Sequence, residues 1–274
     1  MGLGKPPKEI FMSFKIITDS SSGLTPEIIN CFDLTVIPLS LIVEGEIKDI
    51  HSDEEFLKKF YTDLRDRKSM STSCVNPETF YENFKTELQL GNDVLYIGLS
   101  SGLSATVANA VSAAEKLKKE FPDRKIYVVD SMNASMGEGL LVYSACIKKE
   151  AGLSIDETYK FLIANRMNLN SLFTVNTLWF LARGGRISKL SMTVGSVVDI
   201  KPVMYVNEKG KLVSSSKVIG RKRSIAAIRD NFVAATANNE VQTVFIGHGD
   251  CVEDAKLLAK MISEKMPVKN FIFN

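Results

Sequence analysis

Two hydroxyl-rich segments, separated by one amphipathic stretch, hold the side chains best placed for chemistry. The first is Ser69-Met70-Ser71-Thr72-Ser73 and the second is Leu99-Ser100-Ser101-Gly102-Leu103-Ser104-Ala105-Thr106. Each stands just before a predicted helix, and the second follows an apolar run, Val94 to Leu99, that reads as a buried strand. In an open α/β sheet, ligands bind outside the carboxyl ends of the strands, where the following helices begin. A helix N-terminus offers unpaired N–H groups and a partial positive charge, and Ser or Thr hydroxyls add neutral hydrogen bonds. The pair therefore suits a small anionic head group, a carboxylate or a phosphate. No base, nucleophile triad or metal-ligand cluster stands beside either segment, so binding is expected rather than turnover.

The elements that must position these loops alternate. Phe14 to Thr18 reads as a strand, followed by the polar loop Asp19-Ser20-Ser21-Ser22-Gly23-Leu24, and Thr25 caps a helix with Pro26 at its first position. Thr35 to Val43 is strand-like and turns at Glu44-Gly45. Ser52-Asp53-Glu54-Glu55 is a capping box opening a helix to about Arg65. Asn76-Pro77 starts the next helix, with Phe80 and Phe84 on its buried face. Strand Val94 to Leu99, helix Ala105 to Lys119, strand Ile126 to Asp130 and helix Gly139 to Ala151 complete a β-α run. Such alternation predicts a parallel sheet with helices on both faces. A second capping box, Ser154-Ile155-Asp156-Glu157, opens a helix to about Asn168, after which the pattern changes. Leu172 to Val175 is a strand, Leu178 to Arg183 a short helix, and Gly184-Gly185-Arg186 a break. Lys201 to Val206 and Lys211 to Val218 form a hairpin, and helices near 223–237 and 253–265 flank a strand at 241–247. The expected organisation is a flexible arm at 1–13, an N-terminal parallel-sheet α/β subdomain at 14–167 and a C-terminal mixed-sheet α+β subdomain at 168–274.

Composition bounds the function. The chain has 274 residues, 45% of them hydrophobic and 24% charged, with a net charge of +2. Those values are ordinary for a globular protein and too neutral for wholesale nucleic-acid binding. No apolar run approaches the roughly 18 residues a membrane span needs, and the first dozen residues lack the apolar core of a secretory signal. Cys31, Cys74, Cys146 and Cys251 are scattered, with no Cys-x-x-Cys pair. Reduced thiols are expected, at least two of them on apolar faces, which favours a cytoplasmic setting. His248 follows an apolar strand and precedes Gly249-Asp250. Packing or capping at the strand end is its leading reading and a place in a cleft the lesser one. His51 reads as a solvent-facing helix start.

A string of short motifs then gives the chain a resemblance. In order they are Ile17-Thr18-Asp19-Ser20, Val36-Ile37-Pro38-Leu39, Thr72-Ser73, Ser100-Ser101-Gly102-Leu103-Ser104 and Val129-Asp130-Ser131. Gly184-Gly185-Arg186-Ile187, Lys201-Pro202-Val203 and His248-Gly249-Asp250 follow. Each is weak alone; in this order they resemble the DegV family of bacterial fatty-acid-binding proteins across 14–274. The resemblance implies two subdomains with a long-chain fatty acid buried between them and no cofactor. It also implies that some members present the acid to a dihydroxyacetone-kinase-like fatty acid kinase, which phosphorylates it. By the same resemblance the carboxylate-binding threonine and serine fall on Thr72 and Ser104, with Ser73, Ser100 and Ser101 secondary. Read from the residues alone, Ser104 would cap its helix and Thr72 would make a turn.

Three departures qualify the match. Cys74 and Val75 stand where members have glutamine and proline, and Ala105 stands where glycine is common. Members also continue into a Gly-x-His-x-Gly-Pro-Gly segment whose histidine lies near the carboxylate, and this sequence reaches only Asn270–Asn274, where that segment would begin. Either the chain is shortened or this member does without that histidine, and the resemblance leaves head-group affinity and competence in phosphoryl transfer open.

The tail requires an apolar slot. Each buried methylene contributes about 0.8 kcal/mol, so a sixteen-carbon chain gains about 11 kcal/mol before ordering costs. Phe173, Leu178, Trp179, Phe180, Leu181, Val194, Val197 and Val198 are wall candidates, though such residues are most often plain core. Basic residues crowd the glycine break (Arg183, Arg186, Lys189) and follow the hairpin (Lys217, Arg221, Lys222, Arg223). Arg186 and Arg221 are the nearest matches to family arginines that contact phosphate or the kinase. A serine-dependent acyl or phosphate hydrolase is the alternative function. It would use Ser104, which has no Gly-x-Ser-x-Gly elbow around it and no base nearby in sequence. A nucleotide binder lacks both its glycine-rich turn and a phosphate loop.

Overall fold

β-Branched and aromatic residues concentrate in Phe14–Asp19 (β1), which runs inside a four-stranded parallel sheet. The structure is a computed structural model that describes residues 13–48, 54–188, 199–236 and 242–274. After β1 come Pro26–Cys31 (α1), Thr35–Ile37 (β2), Ser40–Val43 (β3), Glu46–Lys48 (β4), Glu54–Arg65 (α2) and Met70–Ser73 (β5). Pro77–Gln89 (α3), Asp93–Gly98 (β6), Thr106–Glu120 (α4), Ile126–Asp130 (β7), Met136–Glu150 (α5) and Ile155–Asn165 (α6) complete the first half. The second half holds Leu172–Thr174 (β8), Trp179–Arg183 (α7), Ile200–Val206 (β9), Leu212–Ile219 (β10) and Arg221–Ala235 (α8). Gln242–Ile246 (β11), Val252–Ser263 (α9) and Val268–Phe273 (β12) follow.

The parallel sheet has the order β2-β1-β6-β7. Every residue of β6 is buried, as expected of a strand covered on both faces. Alternate residues go to opposite layers. Val94 and Tyr96 pack with Phe80, Phe84 and Leu117 of α3 and α4, while Leu95 and Ile97 pack with Leu141, Val142 and Leu162 of α5 and α6. Local signals set the helix starts. Asn76 Oδ1 accepts from Thr79 N at 2.8 Å ahead of Pro77, and Ser154 with Glu157 forms the complete capping box. The box expected at Ser52–Glu55 and the helix start at His51 lie at least partly outside the described residues, as do residues 1–12 of the arm.

Two expectations change. Thr35 to Val43 is not one strand. Pro38 has no N–H to give a ladder, and the chain breaks there into β2, which stays in the parallel sheet, and β3, which joins an antiparallel sheet of order β4-β3-β5. Thr72 therefore sits in an edge strand, opposite Leu41 of β3, and not in a loop. Its neighbours Ser71 and Ser73 are exposed like Thr72 itself, so the strand lacks the apolar alternation that reveals a buried one. The mixed pairing expected of the C-terminal half is divided between two sheets: antiparallel β10-β9-β8, and the parallel pair β11-β12. The cysteines are free. Cys31 and Cys74 are exposed, Cys251 is half-buried, and only Cys146 is fully buried, where desolvation pushes its thiol up to about 12. No described helix is long and apolar enough to cross a membrane.

Candidate functional site

Strand order places a crevice between β1 and β6, because the chain leaves β1 for β2 on one side and reaches β6 on the other. Asp19, the last residue of β1, is fully buried there and its carboxylate is surrounded by donors. Ser21 N (3.0 Å), Ser21 Oγ (2.5 Å), Tyr96 OH (2.7 Å) and Leu99 N (3.2 Å) all point at it. The Leu99 contact pins the start of the second hydroxyl segment. Glu138 lies beneath, also fully buried, with its carboxyl 2.8 Å from Ser21 Oγ and 3.4 Å from Thr18 Oγ1. One serine proton cannot serve both acids. Desolvation first, and the charge of Asp19 second, raise the Glu138 pKa well above the carboxylate range. A protonated Glu138 donates to Ser21 Oγ, which is then free to donate to Asp19.

The hydroxyls of the second segment divide between structure and surface. Ser100 is fully buried; its Oγ donates to Gly210 O (2.9 Å) in the β9–β10 turn and accepts from Gly102 N (3.1 Å). Gly102 is required here, since a Cβ would stand 2.6 Å from Lys209 O. Ser101 is exposed and its N–H reaches the Asp130 carboxylate at 3.3 Å. Ser104 is half-buried, accepts from Thr106 N at 3.3 Å and shares a 2.8 Å hydrogen bond with Thr106 Oγ1. The helix begins one residue later than expected, with Ala105 at the N-cap and no side-chain cap there. Thr72 and Ser73 end the exposed strand β5. Asn109, in the first turns of α4, donates to Val75 O at 2.8 Å, which ties the end of β5 to the helix that follows Ser104. Arg183 of α7 ties the other end, donating to Ser69 Oγ (3.0 Å) and Lys68 O (3.3 Å).

A cavity of about 980 Å³ lies between the two halves, at the upper end of the range of about 300–1,000 Å³ typical of ligand pockets. Met136 and Leu140 of α5 form one side, Phe173 and Val175 another, and Ile228 and Phe232 of α8 with Leu258 of α9 a third. Thr72 and Ser104 do not line it. Two connections run from the cavity to neighbours of these residues: the β9–β10 hairpin, whose Val206 and Leu212 line the cavity while its turn receives Ser100, and the β8–α7 segment, which runs from Phe173 to Arg183 and bonds Lys68 and Ser69. Of the wall residues expected from sequence, Phe173 lines the cavity. Leu178, Trp179, Phe180 and Leu181 do not, and Val194, Val197, Val198 and the basic Lys189 lie outside the described residues. Trp179 instead carries the guanidiniums of Arg67 and Arg183 over its ring, 5.7 and 5.1 Å from the ring centre. The missed wall carries a helical signal, Ile225, Ile228 and Phe232 on α8 and Leu258 and Ile262 on α9, which reads in sequence as ordinary core.

The basic candidates separate. Arg186 is exposed and donates to Gly184 O at 2.5 Å. Arg221 is half-buried in the cavity wall, donating from Nε to Asp254 at 2.7 Å and from Nη2 to Cys251 Sγ at 3.7 Å. His248 also lines the cavity, with its backbone N–H donating to Asn274 O at 2.9 Å. Two cavity-lining residues that are not glycine hold left-handed backbone, Ser135 at φ 51° and Asp250 at φ 57°, a local strain often found around ligand sites.

Comparison with known proteins agrees with this architecture. A protein of Clostridium perfringens containing a DegV domain is 40% identical over 262 residues, covering 95% of this chain and 90% of its own length. A DegV lipid binding protein of Thermotoga maritima superimposes with a TM-score of 0.85 at 27% identity, over 96% of this chain and 91% of that one. A second Thermotoga maritima protein, whose structure is described as revealing fatty acid binding function, gives 0.84 at 26% identity over 96% and 92%. The family model described as "Uncharacterised protein, DegV family" matches residues 13–273, and the chain belongs to the DegV family.

Proposed function

We propose that this protein is a carrier of long-chain fatty acids, with the carboxylate held by Thr72 and Ser104 and the acyl tail in the cavity between the halves. The observation that carries the reading is the large, mainly apolar cavity, joined through the β9–β10 hairpin to the Ser100–Ser104 loop and through the β8–α7 segment to Ser69, just ahead of the strand that bears Thr72. Likeness to structures described as lipid binding and fatty acid binding supports it. The division of labour is quantitative. Burial of a sixteen-carbon tail supplies about 11 kcal/mol before ordering costs, whereas a hydrogen bond to a charged carboxylate adds about 1.5–3 kcal/mol. The hydroxyls orient the acid more than they hold it. Ser73 and Ser101, both exposed, are secondary contacts; Ser100 acts through its bond to Gly210.

The two subdomains divide near 167/168 in this reading. The scattered cysteines suit a reducing cytoplasm. A kinase of the dihydroxyacetone-kinase type is the proposed partner, with exposed Arg186 on the docking face. The hydrolase reading finds no support at Ser104: its hydroxyl engages Thr106, and no histidine or carboxylate among the described residues hydrogen-bonds it.

Native mass spectrometry of the protein purified from bacteria, followed by organic extraction, tests the proposal. A stoichiometric C14–C18 fatty acid is expected, lost from the Thr72→Ala/Ser104→Ala double variant. A protein that carries no lipid and takes up neither oleate nor palmitate would refute the reading. Charge reversal at Arg186 should abolish stimulation by the kinase while lipid loading persists; unchanged stimulation would remove the docking role.

A further inference from the structure

One stretch of the cavity wall does not suit a plain hydrocarbon. Three elements bring polar groups together there: Tyr61 from α2, Arg221 from the start of α8, and His248 and Cys251 from the loop between β11 and α9. Arg221 uses two of its N–H bonds, on Asp254 and Cys251, and a guanidinium has five. His248 is half-buried, and its Nδ1 is shielded from solvent with no hydrogen-bond partner among the described residues. A buried acceptor left unpaired is tolerated more readily than a buried unpaired N–H. On that ground Nδ1 is assigned as an unpaired acceptor, to which a ligand hydroxyl can donate. The Tyr61 hydroxyl makes no hydrogen bond among the described residues that competes for it. Burial and the nearby Asp250 carboxyl raise its pKa, so it keeps its proton.

These groups keep unused hydrogen-bonding capacity, Arg221 and Tyr61 as donors and His248 Nδ1 as an acceptor, in a wall that also holds the Asp250 and Asp254 carboxyls; the other sides of the cavity are mainly leucine, isoleucine, valine and phenylalanine. A saturated tail lying across them strips their water and returns nothing. An oxygen on the acyl chain restores the lost bonds. These groups are also separate from the carboxylate hydroxyls, because neither Thr72 nor Ser104 lines the cavity.

We propose that the Tyr61–Arg221–His248 wall is a second polar subsite that selects fatty acids bearing an oxygen far from the carboxylate, as in hydroxy or oxo acids. The inference rests on the fatty-acid reading above and names the substrate class within it. A site built to hydrogen-bond an oxygen discriminates against the analogue lacking it more strongly than an apolar pocket discriminates by length. One such bond gained is worth about tenfold in affinity.

Competition titration against a fluorescent fatty acid, with stearate, 10-hydroxystearate, 12-hydroxystearate and 17-hydroxystearate as probes, tests it on the delipidated protein. At least one hydroxystearate should bind about tenfold more tightly than stearate. In His248→Phe that ratio should fall towards one, and Tyr61→Phe, a smaller change, should lower it in the same direction. Equal affinity for stearate and every hydroxystearate, or a preference that survives both variants, overturns the subsite and leaves the carrier reading standing. Failure of stearate and all hydroxystearates to bind overturns both.

Discussion

The crevice at the end of the parallel sheet and the cavity in front of the second half solve opposite problems. In the crevice, buried acids are saturated with partners: Asp19 is approached by Ser21, Tyr96 and Leu99, and Glu138 is joined to the same network through Ser21. In the cavity wall, half-buried apolar side chains such as Phe173 and Phe232 face open space, and His248 keeps an unpartnered buried nitrogen. The first region is finished without a ligand, so it can hold the hydroxyl loops at fixed positions. The second region leaves apolar surface and a buried nitrogen unpaired, and under the proposed function apolar burial there is the source of affinity. Rigid placement and binding energy are thus assigned to different parts of the chain.

Mutations that remove core or crevice groups should act on stability, and those in the cavity on lipid affinity. The largest effect is expected at Phe84, which has no exposed surface and packs on Phe80 and Tyr96. Phe84→Ala should cost about 3–5 kcal/mol in urea unfolding, whereas Phe232→Ala should cost far less and instead weaken palmitate binding. Equal losses of stability would erase the distinction between the two regions. Next comes Asp19→Ala, which strands the Tyr96 hydroxyl and the Leu99 N–H in a buried place. A loss of about 2–4 kcal/mol is expected, with faster hydrogen exchange in the Leu99–Ser104 loop. Gly102→Ala should cost about 1–3 kcal/mol, because the new methyl meets the Lys209 carbonyl of the hairpin turn.

The smallest effect sharpens the comparison through pH. Glu138 has a raised pKa in the folded protein, so between an ordinary carboxylate pKa of about 4.3 and that higher value the native state holds a proton the unfolded chain has released. Stability then falls as pH rises. Glu138→Gln keeps a donor towards Ser21 Oγ and cannot ionise. Its urea midpoint should gain on that of the unaltered protein as pH rises above the ordinary carboxylate pKa of about 4.3. A difference that stays constant with pH would mean that Glu138 is ionised already.

The sequence exposed these two regions unequally. Helix caps at Thr25, Asn76 and Ser154 and the fully apolar β6 were legible because their signals are local. The crevice hydroxyls were legible for the same reason, lying at a strand end and before a helix. Thr72 in strand β5 was not, because an exposed edge strand of serine and threonine carries no period-two pattern and is defined by pairing with distant Leu41. The cavity was the least legible. Ile225, Ile228 and Phe232 have the spacing of any buried helical face, and nothing local says that the space opposite them is empty. Trp179 shows the converse: an aromatic beside apolar neighbours that the fold sets against two arginines and outside the cavity lining.

The central claim is that the acid lies with its carboxylate at the crevice hydroxyls and its tail in the cavity. Carbon-13 NMR of bound palmitate, labelled at the carboxyl carbon in one sample and at the terminal methyl in another, tests it directly. The account predicts that Thr72→Ala and Ser104→Ala shift and broaden the carboxyl resonance and leave the methyl resonance in place, while Phe232→Ala does the reverse. A carboxyl resonance that ignores Thr72 and Ser104 but moves with Arg221→Lys would place the head group inside the cavity and contradict the account.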